Sequence, residues 1–323
     1  VAPPTPGVTV VVAAHDAGAT VGDAVRSALR QPPVVQCVVV DDASRDATAL
    51  VAGACASEDP RVEVLRRARR GGPSIARDDG LVAARAPLVC FLDADDVLLD
   101  GGLEALAEAL AAEPDAVAAL GRFVAVDDAG AGAEAGAWAS EQLRPVVRRH
   151  GRLVDSTDGL SAEALVTRLV SPPPGAWLVD AASTRAVGGF DPRVPRSEDV
   201  ELLVRLATAG RVVVVERDVL AYRRHDAQRS ASGARRRWGR SIALWYALRA
   251  APGAAATWRL SRGMVAYHVE LFAARRRADG WRVRAMALRN LGAAAALSMA
   301  GAVAAPLPRR LPPPLRRTAD AVD

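Results

Sequence analysis

Apolar positions in the first hundred residues follow two alternating patterns. Val8–Ala14 (VTVVVAA) and residues 34–40 are continuous β-branched runs, the pattern of strands buried on both faces. Between them, Val21, Ala24, Val25, Ala28 and Leu29 recur on one helical face. Thr20 and Asp23 have the spacing of a capping box, and Pro32 and Pro33 stop the helix. The rhythm continues with a helix opened by Ser44 and running to about residue 55, then a short strand at 62–65. A basic, glycine-containing loop at 66–73 leads into a helix at 74–84, a strand at 87–92 and a helix marked by Leu103, Leu106 and Leu110. Strand and helix in this alternation predict an α/β fold: a mostly parallel central sheet with right-handed crossovers, flanked by helices. Ligands of such sheets bind beyond the carboxyl ends of the strands.

The second half is less regular. A strand is predicted at 116–126, then Gly-, Ala- and Pro-rich sequence with one helix at 161–169, and a strand at 177–180. Gly188-Gly-Phe-Asp191 reads as a turn, and Ser197 as the cap of a helix at 198–209 closed by Gly210. Strand material follows at 212–215 and 219–222, and the chain reads as helices from 234 onward. This divides it into a domain at 1–233 and a C-terminal helical extension at 234–323.

Charge sharpens that division. Residues 1–233 hold 25 arginines and 33 acidic residues, net −8, while 234–323 hold 17 arginines and 4 acidic residues, net +13. The extension also carries Trp238, Trp245, Trp258 and Trp281. Arg-rich, Trp-bearing helices suit the interface of an anionic membrane. The competing expectation is that they lie on the domain and expose their arginines. No nucleic-acid-binding module is recognisable, so nucleic acid is not an expected partner. The start, Val1 to Gly7, does not read as a signal peptide, and the low-charge run 291–307 is 17 residues, short of the roughly 20 a spanning helix needs. A cytoplasmic protein is expected, with peripheral contact at the inner face of the plasma membrane through 234–323. Cys37, Cys55 and Cys90 lie in apolar runs and read as small core residues in a reducing compartment. An apolar fraction of 50% over 323 residues excludes disorder for most of the chain.

The turn after the first strand, Ala13-Ala-His-Asp-Ala-Gly-Ala19, contains no GxGxxG, and the chain has no lysine and so no P-loop. A diphosphate would need another counter-charge, and a carboxylate-held divalent cation is the natural one. Asp93-Ala94-Asp95 follows an apolar strand directly and can aim alternate carboxylates at one Mg²⁺ or Mn²⁺. A second pair, Asp41-Asp42, ends another strand. Asp96 and Asp100 read as caps of the following helix.

The ordered segments VTVVVAAHDAGATV, VVVDDASRDAT, GGPSIARDDGL, VCFLDADD, GGFDPRVPRSEDVEL and YRRH resemble the family 2 glycosyltransferases over about residues 8–230. That resemblance implies the GT-A fold, a nucleotide-sugar donor (UDP-, GDP- or dTDP-linked) and transfer with inversion to an acceptor hydroxyl, on a glycan or lipid-linked acceptor. It implies that Ala14, His15, Asp41 and Asp42 hold the nucleoside and that Arg77 sits beside the nucleotide. It places Asp93 and Ala94 on the donor, Asp95 on the metal, and His225 on the metal or a phosphate. Asp199 would be the catalytic base, with Glu198 beside it. Two departures stand out: His15 replaces an aromatic residue usual after strand 1, and Asp78 and Asp79 add acids next to Arg77. Two other readings compete, a nucleotidyltransferase making nucleotide-sugars and a non-catalytic membrane-surface protein that retains the fold. The first usually needs a glycine-rich, basic amino-terminal signature that Ala13 to Thr20 lack.

Overall fold

The computed structural model describes residues 6–126, 172–194 and 197–223, together with scattered residues between 243 and 265 and residue 292. Its elements are β1 (Val8–Ala14), α1 (Val21–Leu29), β2 (Val34–Asp41), α2 (Thr48–Glu58), β3 (Val62–Arg66), α3 (Pro73–Ala83) and β4 (Leu88–Asp93). Then come β5 (Val97–Leu98), α4 (Gly102–Ala112), β6 (Ala116–Val126), a 3₁₀ turn (Pro174–Ala176), β7 (Trp177–Asp180), α5 (Ala181–Ala186), α6 (Glu198–Ala209) and β8 (Arg211–Arg223). The helix expected at 161–169 lies outside the described residues.

One eight-stranded sheet runs in the order β3-β2-β1-β4-β7-β6-β8-β5. Strands β1 to β4 are mutually parallel, as their unbroken apolar runs require: β1 and β2 are buried at almost every position because helices cover both faces. The other half is mixed. β7 runs antiparallel to both β4 and β6, and β5 antiparallel to β8, while β6 and β8 are parallel. The two strand segments expected at 212–222 are one continuous strand.

The chain leaves β1 toward β2 and β3 on one side and returns to β4 on the other. This reversal opens a crevice at the carboxyl ends of β1, β2 and β4. Gly80 lets α3 lie down on β1 there. A Cβ at Gly80 would stand 2.1 Å from Val11 Cγ1, so any larger residue would lift the helix.

Three expected caps differ. Thr20 precedes α1, but its hydroxyl makes no capping bond and turns to the Ala17 carbonyl. Ser44 does not open α2, which starts at Thr48; its hydroxyl accepts the Asp16 N–H instead. Ser197 precedes α6 in a left-handed conformation (φ 59°) with no side-chain cap. In the extension, Leu244, Ala247, Leu248, Leu260 and Met264 are buried and belong to the same core cluster as the sheet residues. Trp258, with Arg262 4.8 Å over its ring, is partly exposed. No helix among the described residues is long and apolar enough to cross a membrane.

Candidate active site at the carboxyl ends of the strands

The loops that follow β1 and β2 are bound to each other. Asp42 N–H donates to the Ala14 carbonyl (2.8 Å), and His15 Nδ1 lies 2.9 Å from the Asp42 carbonyl, so that nitrogen carries the proton. Ala17 N–H donates to Thr48 Oγ1, Gly18 N–H to Asp46 Oδ2, and Arg45 N–H to Asp16 Oδ1. Among described non-glycine residues, three have positive φ: Asp16 (49°), Ala43 (58°) and Ser197 (59°). They lie after β1, after β2 and before α6. Strain of this kind gathers where a surrounding structure holds a site in shape.

Asp42 is almost fully buried. Its Oδ1 and Oδ2 accept the Gly71 and Gly72 N–H groups, each at 2.7 Å, and Arg67 Nε lies 3.0 Å from Oδ1. Asp41 is wholly buried, and its Oδ1 accepts the Ser44 N–H at 2.9 Å. Thus the basic loop between β3 and α3 is fastened to the end of β2 by carboxylates.

At the end of β4, one carboxylate oxygen from each of Asp93, Asp95 and Asp96 lies within 4.8 Å of the others. Asp93 and Asp95 are half-buried and Ala94 between them is buried. Asp96 does not cap α4, whose N-cap position is Gly101. It is buried, and its Oδ1 accepts the Arg223 N–H (2.9 Å) from β8, which the β5–β8 pairing brings alongside. Burial, then the neighbouring charges of Asp93 and Asp95, push the Asp96 carboxyl well above the ordinary carboxylate range, and its Oδ2 has no hydrogen-bond partner among the described residues. Three crowded carboxylates with an orphaned buried oxygen fit a hard, oxygen-ligated dication. His225 lies outside the described residues, two positions beyond Arg223.

Arg77 joins the two sides of the crevice. It is 4% exposed. Its guanidinium donates to Asp93 Oδ1 at 2.6 Å and to Glu198 Oε1 at 3.1 Å, 121 residues away in sequence, and lies 5.3 Å over the Phe190 ring. Burial works against its charge, but Asp93, Glu198 and Asp199 outweigh that and raise its pKa. The end of β4 and the first turn of α6 therefore meet on one cation. Glu198 is buried and engaged by Arg77, whereas Asp199 is half-buried.

The two extra acids of α3 point elsewhere. Asp78 Oδ1 accepts the Phe190 N–H at 2.8 Å, and burial raises its pKa to about 6 against that bond. Asp79 pairs with Arg67. The turn at Gly188–Asp191 is further held by Arg205, which donates to the Val187 and Gly189 carbonyls and, bidentately, to Glu201 at 2.6 Å. The visible signal for this support was the i, i+4 spacing of Glu201 and Arg205 on one helix, that of an ion pair.

The glycosyl transferase family 2 model matches residues 9–153. The chain belongs to glycosyl transferase family 2. Its sequence is 46% identical over 105 residues to the succinoglycan biosynthesis protein ExoO of Rhizobium meliloti, covering 32% of this chain and 29% of that one. It is 30% identical over 234 residues to an uncharacterized protein of Mycobacterium tuberculosis, covering 70% of this chain and 69% of the relative. The match thus spans less than a third of the succinoglycan protein's length. Two solved structures share the fold. S. aureus TarS in complex with UDP-GlcNAc has a TM-score of 0.56 at 14% identity, over 91% of this chain and 89% of that one. A mannosyltransferase from Pyrobaculum calidifontis in complex with GDP-Man and Mn²⁺ has a TM-score of 0.54 at 16% identity, over 93% and 76%. The α/β architecture that this chain shares with both is of the GT-A type.

Proposed function

We propose that this chain is a glycosyltransferase that moves a sugar from a nucleotide-sugar donor to an acceptor hydroxyl, with inversion at the anomeric carbon. The observation that carries the reading is Arg77, whose guanidinium draws the carboxylate end of β4 and the acidic first turn of α6 to one crevice. A direct displacement needs this two-sided arrangement: groups for a diphosphate on one wall and a proton acceptor on the other.

The loops at Ala14–His15 and Asp41–Asp42 form the nucleoside end. Asp93 and Ala94 border the donor, and Asp95, with Asp96 and His225, would hold Mg²⁺ or Mn²⁺. When bound, the cation supplies positive charge toward the departing diphosphate. Asp199 takes the proton from the acceptor hydroxyl. Its place in the first turn of α6 favours the ionised form that a resting base requires. Glu198, occupied by Arg77, holds the helix start in register with β4. The match to a succinoglycan biosynthesis protein supports a polysaccharide or lipid-linked acceptor. An acceptor of that kind fits a cytoplasmic enzyme whose arginine-rich extension touches the inner face of the membrane.

The test is release of nucleoside diphosphate from a panel of nucleotide-sugars with Mn²⁺ present. Asp199→Asn should slow turnover roughly 10²–10⁴-fold while nucleotide binding is kept. Asp95→Asn should remove the Mn²⁺ dependence of binding. If no nucleotide-sugar binds or turns over, the proposal fails.

A further inference from the structure

One buried ion pair lies apart from every group assigned above to nucleotide, cation or proton transfer. Glu201 and Arg205 face each other along α6, both buried, and the Arg205 fork spans the two Glu201 oxygens at 2.6 Å. Burying two charges costs about what their attraction returns, so such a pair adds little net stability over two apolar side chains. What apolar side chains would lack is the rest of the fork: Arg205 also donates to the Val187 and Gly189 carbonyls, each at 2.6 Å. The turn that carries these carbonyls is gripped from its other side by α3, where Asp78 Oδ1 accepts the Phe190 N–H. The fit there is close. Gly189 has a φ of 62°, and a Cβ on it would stand 2.4 Å from Asp78 Oδ1. Between the two grips the turn delivers the buried Phe190 ring to Phe91 of β4, edge to face with centroids 4.9 Å apart, and to the Arg77 guanidinium.

We propose, resting on the function inferred above, that Asp78, Glu201 and Arg205 are positioning residues: through the turn at 187–190 they fix the direction of α6 and so hold Asp199 in place across the crevice from the donor. The body of α6 packs on β6 and β8, while the donor groups stand at the ends of β1, β2 and β4, on the far side of β7. Arg77 ties the first turn of α6 to β4 through Glu198. A helix tied at one point can still swivel about it. The Arg205 fork supplies a second tie, further along α6, to a turn that is itself seated on α3 and β4. Two ties fix the direction of the helix, and a shift of about 1 Å at a catalytic group costs about 100-fold in rate. The groups assigned to nucleotide and cation lie outside α6 and this turn. Loss of the second tie therefore spares nucleotide binding and slows the chemical step.

The test sets kcat for nucleoside diphosphate release from UDP-glucose, UDP-GlcNAc, dTDP-glucose and GDP-mannose, with Mn²⁺, beside calorimetric Kd values for UDP, dTDP and GDP on the full chain. Glu201→Met combined with Arg205→Met replaces the ion pair by apolar side chains of similar size, so the urea midpoint should stay near that of the parent. The carbonyls of the turn lose their donor, so kcat should fall about 10–100-fold while nucleotide Kd stays within about twofold. Arg205→Lys keeps the charge without the fork; its kcat should fall about tenfold, and it serves where the double variant fails to fold. Asp78→Leu removes the acceptor of the Phe190 N–H and should lower kcat about tenfold, whereas Asp78→Asn retains that oxygen and should restore it. Parental kcat in a folded double variant or in Arg205→Lys, or Kd weakening in step with kcat, overturns the positioning role and leaves the proposed function standing. A parent that binds none of the nucleotides and releases none of them from any donor overturns both.

Discussion

Replacing Arg77 with methionine removes a buried cation and keeps most of its volume. The substitution leaves Asp93 and the buried Glu198 carboxylate facing each other without their shared partner, with Asp199 close by. Breaking a buried ion pair by deleting one member costs about 3–5 kcal/mol, because the remaining charge stays desolvated. Methionine also gives up the contact of the guanidinium with Phe190, a smaller loss of about 0.5–2 kcal/mol. An Arg77→Met variant should therefore unfold in urea with stability reduced by about 3.5–7 kcal/mol. Adding Glu198→Gln removes the stranded charge, so the double variant should recover part of this loss. The coupling energy from the double-mutant cycle should reach about 1–3 kcal/mol. Arg77→Met within 1 kcal/mol of the parent, or strict additivity of the two substitutions, would refute the claim that this cation joins β4 to α6.

Three further predictions concern the same wall. Gly80→Ala should destabilise by about 1–3 kcal/mol through its clash with Val11, and should weaken nucleotide binding by displacing the helix that carries Arg77; urea midpoints and UDP titration measure both. Ala43→Gly should be neutral or stabilising by up to about 1 kcal/mol because it relieves a left-handed alanine, whereas Ala52→Gly inside α2 should cost about 1 kcal/mol. The Asp78 carboxyl, raised from 3.8 to about 6, binds its proton more tightly in the native state. Its contribution to stability is present below about pH 4 and is lost as pH rises through 6. Asp78→Asn should therefore gain on the parent between pH 4.5 and 7.5; a pH-independent difference in urea midpoint contradicts this.

The parallel half of the sheet was legible because strands buried on both faces have no room for polar alternation, so their runs stand out even in an alanine-rich chain. The boundaries of β6, β7 and α6 matched their expected positions for similar reasons. The caps were less legible. A hydroxyl such as that of Ser44 can serve its own helix or a loop 28 residues away, and only the packed loops decide. The clustering of Asp93 and Asp95 could be read from their spacing. The role of Asp96 could not, since its partner is a backbone N–H 127 residues further on. Likewise, the engagement of Asp42 by Gly71 and Gly72 depends on how the basic loop folds back over β2. Local pattern carries elements; contacts across the crevice emerge only when the sheet order is known.

The most direct test is a crystal structure with UDP and Mn²⁺ in which the manganese is located by its anomalous signal. The account predicts a peak beside the Asp95 and Asp96 carboxylates, with the diphosphate next to it and Asp199 facing the same crevice. A peak and nucleotide on any other face of the sheet would contradict it.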